Sequence, residues 1–297
     1  MSLETQVQRP SQIAAHHRRG SYRLRKKFGK IIIHAVLIAG AAFLMAPLLW
    51  MFSTSLKSLG TVMVIPPEWI PEEPLWSNYA EIFQVVPFGL YIRNTAFVTL
   101  ADVVGKIISC SLVAFAFARL RWRGRDTLFI IMLATMMLPT QVTLVPQFVI
   151  YRYLGWIDTY FPLILPNWFG GPFLTFLLRQ FFMSIPLELD DAARIDGATI
   201  FGIYWRIILP LSKPGLAAVG IFTFNASWND FFAPLIYLHS RERYTLSLGL
   251  RSFQDQNYTE WHLLMAASLV AMVPVLLIFF VAQKYFIQGI VFTGIKG

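Results

Sequence analysis

Between Lys30 and Lys57 lie 26 residues without one formally charged side chain, IIIHAVLIAGAAFLMAPLLWMFSTSL. That stretch decides the solvent. A helix needs about 20 mainly apolar residues to cross a bilayer, whereas the apolar core of a signal peptide has only about 7–15. The run therefore reads as a retained first span. Similar runs recur along the chain, and the composition agrees: 56% of residues are hydrophobic and 14% are charged, against about 25% charged in a soluble domain. The fold class is an all-α integral membrane protein.

The pattern predicts six transmembrane helices, at 31–56 and at about 91–120, 127–151, 161–182, 215–238 and 261–286. Eighteen of the 25 Lys/Arg residues fall on the side of the N-terminus, six fall on the other side, and Lys106 lies within a span. Basic residues accumulate on the cytoplasmic side of spans, so both termini are cytoplasmic. The chain divides into a basic arm (1–30), the first span (31–56), an extracytoplasmic loop (57–90, with PPEWIPEEP), a five-span core (91–287) and a tail (288–297). The core carries a cytoplasmic loop over 184–213 and an extracytoplasmic loop over 239–260. The arm reads as mostly flexible, able to touch anionic lipid. The net charge of +9 is thus a topology signal and no sign of nucleic acid. Several spans contain helix breakers, Pro139 and Pro146, Pro162 to Pro172, and Pro234. Irregular backbone at membrane depth needs cover from protein or a water-filled cavity, and such breaks point to substrate pathways.

The polar stretch from Ser184 to Pro214 organises the rest. Ser184 and Pro186 suit a helix start, with Glu188, Asp190 and Asp191 in the first turn, where the dipole favours anions. Gly197 is placed to end that helix in a left-handed conformation. Thr199 can cap a second short helix, from Ile200 to about Leu209, which Pro210 ends. Helices of about ten residues are unstable alone in water. Leu189, Ala192, Ala193 and Asp196 share one face with little bulk, so the stretch reads as a docking element for another chain, its acids acting as helix-start and docking charges. No histidine, cysteine or nucleophilic serine pattern accompanies those acids, which argues against catalysis.

The segment D-A-A-R-I-D-G-A followed by R-I-I-L-P resembles the EAA loop of permease subunits in ATP-binding-cassette importers. That pattern is E-A-A, three residues, G, nine residues, then I-x-L-P; here Asp191, Ala192, Ala193, Gly197, Ile207, Leu209 and Pro210 occupy it. Asp191 replaces the usual Glu, keeping the charge and losing one methylene. RLRWRGR, MMLPTQVTLVP, SWNDFFAPL and the closing GIVFTGIKG are similar to the carbohydrate branch, in particular to the shorter permease of maltose-type importers. The resemblance implies a type I importer permease fold in a bacterial or archaeal cytoplasmic membrane. It also implies that the loop, including Asp196, is a coupling helix seated on an ATPase dimer, and that Lys296 and Gly297 approach that ATPase. It further implies a second, longer permease and an extracytoplasmic sugar-binding protein reached by the last outer loop. In that loop Arg251, Gln254, Asp255, Gln256, Asn257 and Tyr258 suit a hydroxyl-rich ligand.

Within the spans, Asn225, Trp228, Asn229 and Asp230 read either as a pathway wall or as interhelical hydrogen bonding. Asp102 and Lys106 stand four apart on one helical face, ~15 Å from Tyr91 and so near mid-membrane. They read either as a mutually neutralising pair or as cavity-lining charges. The chain has no G-x-x-x-x-G-K-[ST] loop, so ATP and Mg²⁺ belong on a partner chain, and this chain is expected to bind no cofactor or metal and to be no enzyme. The lone Cys110 offers no disulfide or cysteine metal site. The alternative is a self-sufficient proton-coupled transporter with Asp102, Lys106 and Asp230 as the relay.

Overall fold

The computed structural model describes residues 12–254 and 258–291, with side chains for 29–139, 141–254 and 258–283. All of the described elements are helical, apart from a single bridge between Gln254 and Thr259. The first helix, α1 (Gln12–Ser55), begins inside the basic arm. The arm read as flexible is therefore helical from Gln12 onward, as an extension of the span behind it. Its apolar part, Gly29–Ser55, has 27 residues, or about 40 Å of helix, and most of its Ile, Val, Leu and Phe side chains project outward, exposed. After an outer loop come α2 (Asn78–Val85) and α3 (Phe88–Arg119).

Helix α3 is the hub. It packs against α7 (Pro172–Met183), α11 (Lys213–Trp228), α13 (Leu246–Leu250) and the 3₁₀ turn Leu165–Phe169 that follows α6 (Phe161–Ile164). The last helix, α14 (Trp261–Val291), lies against α1, α2 and α11. Close approach at the hub depends on Gly105: a Cβ there would stand 2.4 Å from the Trp168 ring. Three clusters of buried side chains result. One joins α2, α3, α13 and α14 around Tyr91 and Phe253; one joins α3, α7 and the cytoplasmic loop around Phe182 and Ile208; one joins α3, α6 and α12 (Phe232–Tyr237) around Leu163 and Tyr237.

Four spans are long helices or a nearly continuous helical pair, and the other two expected spans are each divided between two helices. The third divides into α4 (Arg125–Ala134) and α5 (Thr140–Tyr153), on either side of Pro139. Proline lacks the donor and disfavours helix in the residue before it, and Leu138 is accordingly extended. The fifth does not run through to Leu238. Helix α11 stops at Trp228, and the Asp230 carboxylate accepts the Phe232 and Ala233 amides at 3.0 and 3.3 Å, capping α12. A polar residue read as a pathway wall is thus also the helix start that breaks the span.

Candidate functional site

The cytoplasmic loop folds as two short helices. Helix α8 (Glu188–Ile195) carries its acids in the first turn. It ends in a Schellman turn, with the Ala198 amide donating to Ala193 O and the Gly197 amide to Arg194 O, at 2.8 and 3.0 Å. Gly197 has φ of 80°, a region in which a Cβ is strained. Thr199 then caps α9 (Ile200–Ile203) by accepting the Gly202 amide at 3.1 Å. Two expectations need correction. The Ser184 hydroxyl donates back to Phe181 O and caps nothing in α8. Pro210 does not end the second helix, because a π turn over Tyr204–Ile208 lets Leu209 bond to Tyr204 O and leads into α10 (Leu209–Leu211). A π turn shifts the backbone register by one residue, which makes room for the proline.

The expected low-bulk face is divided between two surfaces. Ala193 is buried against the cluster around Phe182, whereas Leu189, Ala192 and Asp196 remain exposed, beside Ile195 at 87% exposure. Of the three motif positions near the C-terminal end of the loop, Ile207 and Leu209 are half-buried while Pro210 is exposed. Asp191 is also exposed and pairs with Arg194 at 2.9 Å. Such a pair contributes little by itself and leaves the carboxylate open to a partner's cation. Asp190, read as a docking charge, is instead buried. It faces Arg119 at 3.7 Å with side-chain exposures of 2% and 1%. Burial raises the Asp190 carboxyl pKa, an effect that Arg119 and Arg194 partly offset. The Arg119 fork also donates to Phe182 O and Ile185 O, both at 2.8 Å. A second buried contact, 2.7 Å between the Tyr204 and Ser111 hydroxyls, holds the other half of the loop to α3. Arg119 counts in the sequence only as a topology charge; its position at the helix end was visible, but the helix beside it was not.

A cavity of about 730 Å³ opens between α3, α6, α7, α11 and α12. Asp102, Lys106 and Asp230 all line it. Asp102 and Lys106 do not neutralise each other directly: Asp102 Oδ2 accepts from Ser227 Oγ at 2.7 Å, and Lys106 Nζ donates to Gly170 O at 2.9 Å. The other proposed wall residues point elsewhere. Trp228 is buried and donates to Ala271 O of α14 at 3.0 Å, so it serves helix packing. Asn229 bonds to Asn225 on an exposed face outside the cavity.

On the opposite side, Arg251, Gln254 and Tyr258 share a pocket of about 560 Å³ with Tyr91, Arg241 and Glu260. Asp255, Gln256 and Asn257 lie outside the described residues, as do Lys296 and Gly297 of the tail. Nearby, Asp158 ties two outer loops together, accepting from the His239 and Ser240 amides at 2.9 and 3.0 Å and from the Ser240 hydroxyl. Partial burial opposes its charge, but these donors and Arg243 outweigh it and hold the carboxyl at about 2.

Residues 110–291 match the family described as "Binding-protein-dependent transport system inner membrane component". The chain is 34% identical over 269 residues to the sn-glycerol-3-phosphate transport system permease protein UgpE of Yersinia enterocolitica, covering 88% of this chain and 95% of the relative. It is 34% identical over 248 residues to the arabinooligosaccharides transport system permease protein AraQ of Halalkalibacterium halodurans, covering 82% and 86%. In three dimensions it matches a chain of a bacterial ABC transporter involved in the import of the acidic polysaccharide alginate, with a TM-score of 0.78, 26% identity and coverage of 88% and 98%. With its spans, its broken helices and its capped cytoplasmic loop, this chain belongs to the family of binding-protein-dependent transport system inner membrane components.

Proposed function

We propose that this chain is a permease subunit of a sugar importer and forms half of its translocation pathway with a second permease. Cargo arrives from an extracytoplasmic binding protein that meets the loop around Arg251 and Tyr258. The work comes from a separate ATPase dimer, which holds ATP and Mg²⁺ and docks on the 184–213 loop. The observation that carries this reading is the construction of that loop. Its two short capped helices expose Leu189, Ala192 and Asp196 outward while Arg119 and Tyr204 fix it inward to α3. A push on the exposed face therefore reaches the helix that also carries the cavity residues. The cargo classes in the names of the relatives support a carbohydrate or polyol substrate.

Uptake by proteoliposomes with and without the ATPase tests this reading. Sugar should enter only with the ATPase and internal ATP; entry driven by a pH gradient alone would instead favour the proton relay through Asp102, Lys106 and Asp230. Gly197→Val probes the docking face itself. It forces a branched side chain into a left-handed conformation, where the cost is about 1–2 kcal/mol, while no atom outside its neighbours lies within 4 Å of the added Cβ. The variant should assemble with the second permease but lose most ATPase binding, read by co-purification.

A further inference from the structure

The cavity holds two carboxylates and one ammonium, and their partners leave an unfilled requirement. Asp102 is 3% exposed; its carboxylate has the Ser227 hydroxyl and the Asn167 amide beside it, and its buried Oδ1 lacks a hydrogen bond of good geometry. Buried carboxylate oxygens without donors are costly, and a cavity of this size is within the range of small-molecule sites. Lys106 does not supply the missing donor, because its ammonium is held by the Gly170 carbonyl. Gly105 and Gly171 fix that arrangement: the first admits Trp168 against α3, and a Cβ on the second would lie 3.2 Å from Nζ. The lining is also partly aromatic, with Phe173 edge-on to Phe222 at 6.0 Å between centroids. A cavity lined by both carboxylates and aromatic rings suits a sugar ring, whose hydroxyls donate and whose C–H face is apolar. It does not suit an anion, which would meet two carboxylates against one engaged ammonium.

Resting on the importer reading above, we propose that this chain contacts its cargo directly at Asp102 and Asp230, that it takes an uncharged polyhydroxylated segment there, and that these two carboxylates discriminate against phosphorylated and carboxylated sugars. The relatives named for glycerol 3-phosphate and alginate carry acidic cargo, which this proposal sets apart from the cargo of this chain.

The test is equilibrium binding to the reconstituted complex, without binding protein. The probes are neutral malto-, arabino- and xylotrioses, with glycerol 3-phosphate and a triuronate as anions. At least one neutral trisaccharide should bind 10-fold or more tightly than either anion. Asp102→Asn should shrink that ratio fivefold or more, by weakening the neutral probe and admitting the anions. Asp230→Asn is the second variant, because asparagine caps a helix as well as aspartate does; it should shrink the ratio in the same direction. Preference for an anion, binding of no neutral trisaccharide, or ratios unchanged in both variants would overturn the proposal. Failure of the importer reading is separate, since it appears as uptake without the ATPase.

Discussion

Helix α3 carries two acid–base centres, and they are built in opposite ways. At its cytoplasmic end Arg119 and Asp190 face each other at 3.7 Å with almost no exposure, and Nη2 of the guanidinium donates to two carbonyls of the neighbouring segment. In mid-helix Asp102 and Lys106 are four residues apart, yet each is bound to a neutral group, a serine hydroxyl and a carbonyl, and both face a cavity. The first centre is a joint between a loop and a span. The second stands on the wall of a cavity between spans. Charged side chains at membrane depth are expensive and are usually functional; here position tells apart a pair packed between loop and span from charges that line a cavity.

Breaking the closed centre should have the largest effect. Arg119→Met leaves Asp190 buried without its cation, and removal of one partner from a buried pair costs about 3–5 kcal/mol. The variant should melt well below the parent in detergent, and Arg119→Met with Asp190→Leu should recover most of the loss, as apolar replacements of buried pairs often do. Equal melting of the single and double variants would remove the pair's claim to be a joint.

Breaking the geometry of the open centre comes next. Gly105→Val would drive Trp168 away from α3, where a Cβ has only 2.4 Å of room; overpacking of this kind costs about 1–3 kcal/mol. The displaced turn should carry Gly170 O away from Lys106. Sugar uptake should therefore fall further than stability does, measured as transport rate against melting temperature.

The capped loop was readable in advance because its signals are local. Gly197 and Thr199 act within three residues of themselves, and both perform as their chemistry requires. The spans were readable for the same reason, from uninterrupted apolar length. Arg119, Asp190 and Trp228 were not, because each depends on a helix distant in sequence. Arg119 turns inward only because α7 ends beside it, and Trp228 packs only because Ala271 presents a carbonyl. A basic residue at a span end, or an aromatic next to asparagines, looks the same from the sequence whether it faces lipid, cavity or partner. The break at Asp230 was obscured by the apolar run on both sides, although an aspartate two residues before a helix start is a local cap signal.

The smallest effect sharpens the comparison from outside the membrane. Asp158 has its carboxyl held at about 2, below the ordinary carboxylate value of 3.8. Its stabilisation is therefore present above pH ~4 and is lost as pH falls through about 2. With part of the side chain in solvent the clip contributes on the order of 1–2 kcal/mol. Asp158→Asn should lower the melting temperature at pH 7 by a few degrees and by progressively less as the pH approaches 2; a constant deficit across that range would show that charge plays no part.

Transmission along α3 is the central claim, and the ratio of sugar moved to ATP hydrolysed tests it most directly. Arg119→Lys keeps the charge but loses the planar fork that holds two carbonyls and a carboxylate at once. In proteoliposomes containing the full complex, the variant should still bind the ATPase and hydrolyse ATP while moving several-fold less sugar per ATP. Wild-type stoichiometry and rate in Arg119→Lys would contradict the account, because the loop would then drive the cavity by some route other than its joint with α3.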